Sequence, residues 1–160
     1  MRIIQDKNLQ KSFFKENNFP TSNFSYFNSK NDLLNSFKKA NLNFPCVWKK
    51  TKFGYDGFGV KVLNTENDLF KLPDSEMIIE DIVEFKKELS VIVAVNKKGD
   101  IKAYETVEME FNPDSNQVEF VISPANISEN INRNAKKIAY ELAKKINLIC
   151  LLYTSDAADE

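Results

Sequence analysis

The chain has no histidine. Imidazole acid–base catalysis, histidine triads and histidine metal sites are therefore excluded. Any chemistry must use Lys, Asp, Glu, Tyr or Cys, or a bound metal and substrate. Cysteine is scarce: Cys46 and Cys150 are the whole set, which makes no disulfide framework. Cys46, between Pro45 and Val47, reads as a small buried apolar residue and not as a nucleophile. A net charge of −1 gives no electrostatic case for nucleic acid or an anionic membrane. No apolar run approaches the ~20 residues that span a bilayer. Met1 to Pro20 is polar, with scattered lysines and neither an apolar core nor a small-residue cleavage site, so it does not read as a signal peptide. These features point to the cytoplasm.

Glycine is scarce as well. There are four, and three of them stand at 54, 57 and 59. They sit in Phe44–Val60, F-P-C-V-W-K-K-T-K-F-G-Y-D-G-F-G-V. Here a short apolar run ends in lysines, a loop follows, and Val60-Lys61-Val62-Leu63 leaves it as a second strand. Glycines there let the backbone reach positive φ or approach a ligand closely. A strand-end lysine facing such a loop, Lys49, is a reasonable phosphate device, since the loop supplies N–H groups and the lysine a point charge. The stretch matches neither the Walker pattern nor G-x-G-x-x-G. On spacing alone a hairpin with a glycine-rich tip is the better explanation.

The rest is ordinary for a globular chain, 42% hydrophobic and 28% charged over 160 residues, enough for one domain with a real core. Asp6–Asn17 reads as an amphipathic helix capped by Asp6, with Leu9, Phe13 and Phe14 on one face and lysines on the other. Ser29–Ala40 reads as a second helix, with a capping box from Ser29 and Asp32. Thr65 caps a short helix over Glu66–Lys71. Glu76–Val83 is a continuous apolar run ending in acids, as suits a strand buried on both faces. Lys87–Val95 alternates, Lys97-Lys98-Gly99-Asp100 is a hairpin turn, and Ile101–Glu110 returns. Asn112–Asn116 is a further turn and Gln117–Ile122 a further strand. Ser128 caps a long helix with Ile131, Ala135, Ile138, Leu142 and Ile146 inward. The order gives an α+β fold with mainly antiparallel sheets and packed helices.

Four stretches, in this order, carry a resemblance. They are Gln5-Asp6-Lys7 with Gln10-Lys11 and Pro20-Thr21; Phe44–Lys49 with Gly54-Tyr55-Asp56-Gly57 and Gly59; Ile79-Glu80 with Glu88–Ile92; and Val107–Pro113 with Val118-Glu119-Phe120. Together they resemble the N5-carboxyaminoimidazole ribonucleotide synthase family of ATP-grasp ligases. The resemblance covers residues 1–149 and implies an incomplete ATP-grasp domain, without the family's N-terminal domain and C-terminal part. It implies that Lys7 and Lys49 hold the ATP phosphates. Gly54, Tyr55, Asp56, Gly57, Phe58, Gly59 and Val60 form the loop over phosphates and ribonucleotide, with Tyr55 and Asp56 contacting the aminoimidazole ribonucleotide. Glu80, Asp81, Ile82 and Val83 form the adenine hinge, and Glu88 takes the ribose hydroxyls.

The chemistry implied is carboxylation of 5-aminoimidazole ribonucleotide by bicarbonate and ATP in purine biosynthesis, through carboxyphosphate, with Mg²⁺ neutralising charge. The Mg²⁺ ligands are expected beyond the end of this chain. No catalytic residue or metal ligand is assigned within it, turnover by the chain alone is expected to be negligible, and full-length members are expected to be homodimers. Glu108 and Glu110 share a strand face but lack a third ligand, and read as solvated. The chain departs from the pattern at Phe53, where the family has glycine, at Phe58, where it has a cation, and at Phe111, where many members have histidine. Residues 150–160, C-L-L-Y-T-S-D-A-A-D-E, resemble the translation of a sequencing-library adapter and are set apart from the domain. Two other readings remain: another ATP-grasp carboxylate–amine ligase or biotin carboxylase, and a non-catalytic α+β binding module.

Overall fold

The computed structural model describes residues 2–39, 42–54, 59–112, 117–147 and 150–158. They fall into two compact units, Met1–Val83 and Glu84–Glu160.

In the first unit a short helix, α1 (Arg2–Gln5), is followed by α2 (Lys7–Glu16). The break is Asp6. Its backbone is extended and its carboxylate accepts the N–H groups of Asn8 and Leu9, which satisfies donors a helix start leaves open. The amphipathic pattern of α2 holds only in part. Phe13, Phe14 and Phe19 cluster with ring centroids 6.0–6.5 Å apart. Leu9, expected inside, is exposed, while the Lys11 side chain, expected outside, is only 14% exposed. A charge partner under the helix, described below, draws Lys11 inward.

Four strands form the sheet of this unit: β1 (Phe24–Phe27), β2 (Cys46–Lys50), β3 (Val60–Leu63) and β4 (Met77–Asp81). They run in the order β1-β4-β2-β3, every pair antiparallel. β4 is one of the two inner strands, and its first four residues are buried on both faces, as its apolar run predicts. Met77 and Ile79 join Cys46, Trp48, Leu63 and Phe27 in the core, with Leu33 and Leu69 from α3 (Lys30–Ser36) and a 3-10 helix (Glu66–Lys71). β1 has no counterpart in the sequence reading, because four residues are too few to show a period. α3 ends at Ser36 and not at Ala40; the Ser36 hydroxyl bonds back to the Asp32 carbonyl, a competition that weakens helices. Ser29 accepts the Asp32 N–H, but Asp32 returns to the N–H of Asn28, so the expected capping box is displaced by one residue.

In the second unit β5 (Lys87–Val95) is the hub. It pairs antiparallel with β6 (Ile101–Ala103), with β7 (Val107–Phe111) and with β9 (Cys150–Ala158); β7 pairs on with β8 (Val118–Ile122). The predicted turn after β5 is present: Gly99 has φ +87°, and the Asn96 carboxamide accepts the N–H groups of Lys98 and Asp100. α4 (Glu129–Lys145) packs on β5 and β6. Ser128 caps it by accepting the Ile131 N–H. Its buried residues are Ala139, Leu142 and Ala143; Leu142 lies on the predicted stripe and the two alanines adjoin it. Every residue of β8 is exposed.

The sequence sets residues 150–160 apart from the domain. The backbone of Cys150–Ala158 forms β9, in register with β5 from Cys150 opposite Val95 to Ala158 opposite Lys87. The α+β, antiparallel character expected from the sequence holds in both units.

Candidate functional site

The register of β4 decides what its outer face carries. Glu80 lies opposite Phe24 on β1 and Val47 on β2, and Ile78 lies opposite Lys49. Side chains alternate with a period of two, so Glu80, Ile78, Val47 and Lys49 share the face turned away from the core. Val60, the first residue of β3, is opposite Lys49 and joins them.

Glu80 is only 5% exposed. A carboxylate this buried costs several kcal/mol unless it is paired, and here it is paired repeatedly. The Lys11 ammonium lies 2.7 Å from Oε2, the Lys49 ammonium binds Oε1, and the Ser22 hydroxyl donates to Oε2 at 3.1 Å. Lys11 also donates to Thr21 Oγ1 at 2.9 Å and Ser22 Oγ at 2.7 Å, and lies over the Phe24 ring. Burial alone would push the Glu80 carboxyl up. The Lys49 charge and the hydrogen bonds from Lys11 and Lys49 outweigh it and hold the group below the usual glutamate value.

Lys7 precedes Lys11 by one helical turn on α2. Its N–H donates to the Thr51 carbonyl at 2.9 Å, just past the end of β2. Its ammonium is depressed below 10.5, first by burial and then by the Lys49 charge, with Glu80 and Asp6 opposing. Asp6 is itself paired with Lys52 at 3.3 Å. Lys11 and Lys49 thus bind one carboxylate, and the Lys7 ammonium is near enough to feel the charges of Lys49, Glu80 and Asp6.

The glycine loop begins beside these lysines. Its neck is narrow: Lys50 N–H donates to the Gly59 carbonyl at 2.8 Å, and Gly59 has φ +94°. A Cβ on Gly59 would meet the Gly54 Cα at 3.2 Å, so the close approach itself requires glycine. Phe53 has φ +59° and is 83% exposed. Tyr55, Asp56, Gly57 and Phe58 lie outside the described residues.

Past Asp81, the last residue of β4, the chain leaves the sheet. Asp81 donates its N–H to the Asn23 carbonyl and accepts the Asn23 amide, both at 3.0 Å. Ile82 and Val83 belong to no strand, and Ile82 is exposed. A cleft of about 240 Å³ opens at this end of β4, lined by Asn23, Phe24, Ser25, Leu42, Asn43, Cys46, Ile79, Glu80 and Asp81. Cys46 is no nucleophile: burial, then the Asp81 charge, raises its thiol to about 11. Glu88 belongs to the second unit, half-buried on β5 opposite Met109 and Ala157.

Residues 12–153 match the ATP-grasp domain family. This chain belongs to the ATP-grasp family. It is 31% identical to the N5-carboxyaminoimidazole ribonucleotide synthase of Bacillus subtilis over 152 residues, 92% of this chain and 39% of the relative. Among solved structures it resembles an ADP complex of N5-carboxyaminoimidazole ribonucleotide synthetase, with a TM-score of 0.85, 28% identity, and coverage of 96% of this chain and 41% of the other. The enzyme of the same name from Thermotoga maritima gives a TM-score of 0.79 and 32% identity, over 96% of this chain and 38% of the other. The chain therefore spans about two fifths of the length of these relatives.

Of the predicted site residues, this ATP-grasp chain brings Lys7, Lys49, Val60 and Glu80 to one face, with Gly54 and Gly59 at the loop neck beside it. Asp81, Ile82 and Val83 continue from the same strand. Among the described residues no three acidic or cysteine side chains group as a metal site; Glu108 is held by Lys87 at 2.8 Å. The described residues do not fit a Mg²⁺ site. Sequence reasoning missed the role of Lys11, Thr21 and Ser22. The signal was present in the four-residue spacing of Lys7 and Lys11, which puts both on one helix face.

Proposed function

We propose that this chain is the nucleotide-binding part of an ATP-dependent carboxylating ligase, one that converts 5-aminoimidazole ribonucleotide, bicarbonate and ATP to N5-carboxyaminoimidazole ribonucleotide, ADP and phosphate in purine biosynthesis. The observation that carries the nucleotide reading is the pairing of Lys11 and Lys49 with Glu80, with Lys7 near them, beside the Gly54–Gly59 neck. Fixed cations in a partly dry site suit phosphate oxygens, and a glycine loop brings backbone N–H groups to the same place. The relatives' names support the carboxyaminoimidazole ribonucleotide product, and bicarbonate as carboxyl donor is part of the proposal.

On this reading Lys7 and Lys49 take the phosphates, and residues 54–60 cover them. Asp81, Ile82 and Val83 supply backbone edges and apolar contact for adenine, with Glu80 behind them. Glu88 accepts the ribose hydroxyls, and Tyr55 and Asp56 face the ribonucleotide. The work is positioning and charge neutralisation; Mg²⁺, when bound, shares the neutralisation, and its carboxylates are not assigned here. The reaction belongs to the cytoplasm, and the full-length enzyme is expected to be a homodimer.

Calorimetric titration of ATP into wild type and Lys49→Ala tests the nucleotide part. A loss of at least tenfold in affinity is expected, since a charge-assisted contact is worth about 1.5–3 kcal/mol. Equal binding by both proteins, or none by either, favours a non-catalytic module. Full-length protein assayed against a panel of amine acceptors tests the carboxylation.

A further inference from the structure

Lys49 has two claims on it. The nucleotide reading asks it to hold a phosphate, yet the structure shows its ammonium on Glu80. If Lys49 left Glu80, a deeply buried carboxylate would lose one of its two charged partners. Lys11 resolves the conflict. It reaches the other oxygen of the same carboxylate from α2, at 2.7 Å. Thr21 and Ser22, from the segment before β1, accept from its ammonium, and the Phe24 ring lies against it at 5.6 Å. Lys7 and Lys15 flank it at four-residue spacing on the same side of α2. Lys11 is therefore built into place by four neighbours, whereas Lys49, with its side chain 31% exposed, stands at the open side of the cluster.

We infer that Lys11 is a positioning residue that holds Glu80 ionised and oriented, so that Lys49 is free to exchange its carboxylate for a nucleotide phosphate. The inference rests on the nucleotide reading above and adds to it a lysine that never touches the ligand. A nucleotide phosphate replaces Glu80 on Lys49 while Lys11 and Ser22 keep Glu80 neutralised and hydrogen-bonded. The class of ligand served is a nucleoside polyphosphate, because only the phosphate-bearing part of the ligand draws on Lys49.

The test compares ATP with adenosine on wild type, Lys11→Met, Lys11→Arg, Glu80→Gln and the Lys11→Met/Glu80→Gln double variant. The quantity read is the ratio of the two affinities, which isolates the phosphate-dependent part. In Lys11→Met the ratio is expected to fall about tenfold, an ordinary coupling between sites, while adenosine binding stays within about twofold. Lys11→Arg, which keeps the charge, is expected to restore most of the ratio. In the Glu80→Gln background Lys11→Met is expected to have no further effect, because no buried charge then holds Lys49 back. An equal loss for ATP and adenosine, an unchanged ratio, or an undiminished loss in the Glu80→Gln background overturns the inference. Wild type that binds no ATP overturns the nucleotide reading instead. Carboxylate ¹³C NMR without ligand gives an independent readout: the Glu80 titration is expected to move up in Lys11→Met, and its failure to move breaks the Lys11–Glu80 link.

Discussion

Gly54 and Gly59 approach so closely that a Cβ on Gly59 would lie 3.2 Å from the Gly54 Cα and 3.3 Å from the Lys50 Cβ. Gly59 is also left-handed, at φ +94°. Gly59→Ala therefore meets steric crowding and backbone strain together, a destabilisation of about 1–2 kcal/mol. Urea denaturation should show a lower midpoint with an unchanged slope, and ATP affinity should fall along with it because the neck of the loop is forced open.

Phe53 presents the opposite case. Its φ of +59° suits glycine, yet a phenylalanine stands there, 83% exposed. Replacement by glycine relieves about 1 kcal/mol of left-handed strain and returns about 0.5 kcal/mol in backbone entropy, while little buried surface is lost. Phe53→Gly is expected to stabilise the protein by about 0.5 kcal/mol, read as a small rise in thermal midpoint.

Glu80 makes stability depend on acid. Its folded value lies below the ordinary 4.5, so the unfolded chain binds the proton first. The stabilisation is fully present above pH 4.5 and is lost as pH falls through the lower folded value. Stability curves of wild type and Glu80→Gln should differ in slope below pH 4.5 and run parallel at neutral pH. Curves that stay parallel into acid mean that Glu80 is not held ionised.

Lys7 sets an alkaline limit. Its ammonium is depressed below 10.5 by burial and by Lys49, so it deprotonates in the folded protein before it would in the unfolded chain. A bound polyphosphate adds negative charge and favours the protonated form. ATP binding is expected to take up protons as pH rises through the folded Lys7 value and to weaken above it. Calorimetry in two buffers of different ionisation heat measures the uptake, and Lys7→Met should abolish it.

The parts of the fold that were legible in the sequence are those with a long period or a strong cap. α4, β5 and its hairpin, and the Asp6 cap all follow from spacing and local hydrogen bonding. β1 escaped because Phe-Ser-Tyr-Phe offers two residues to each face. The site was legible unevenly. Glycine at 59 and lysine at 49 announce themselves by residue type and by the loop between them. Lys11 did not, because amphipathic reasoning assigns every lysine on a helix to water. Only the β4 register, which turns Glu80 toward α2, reveals the partner that pulls it in.

β4 is the last strand of its sheet in the chain and one of the two inner strands in space. β1 and β2 have no ladder with each other; both wait for residues 77–81. On a ribosome the β2–β3 hairpin can form early, but the four-stranded sheet cannot close until Asp81 has emerged. Glu80 travels on that final strand, so the lysines of α2 and β2 remain without their shared counter-ion until then. The charged cluster is thus among the latest features of its unit to assemble, and a nascent chain halted before β4 presents Lys11 and Lys49 without the carboxylate they share.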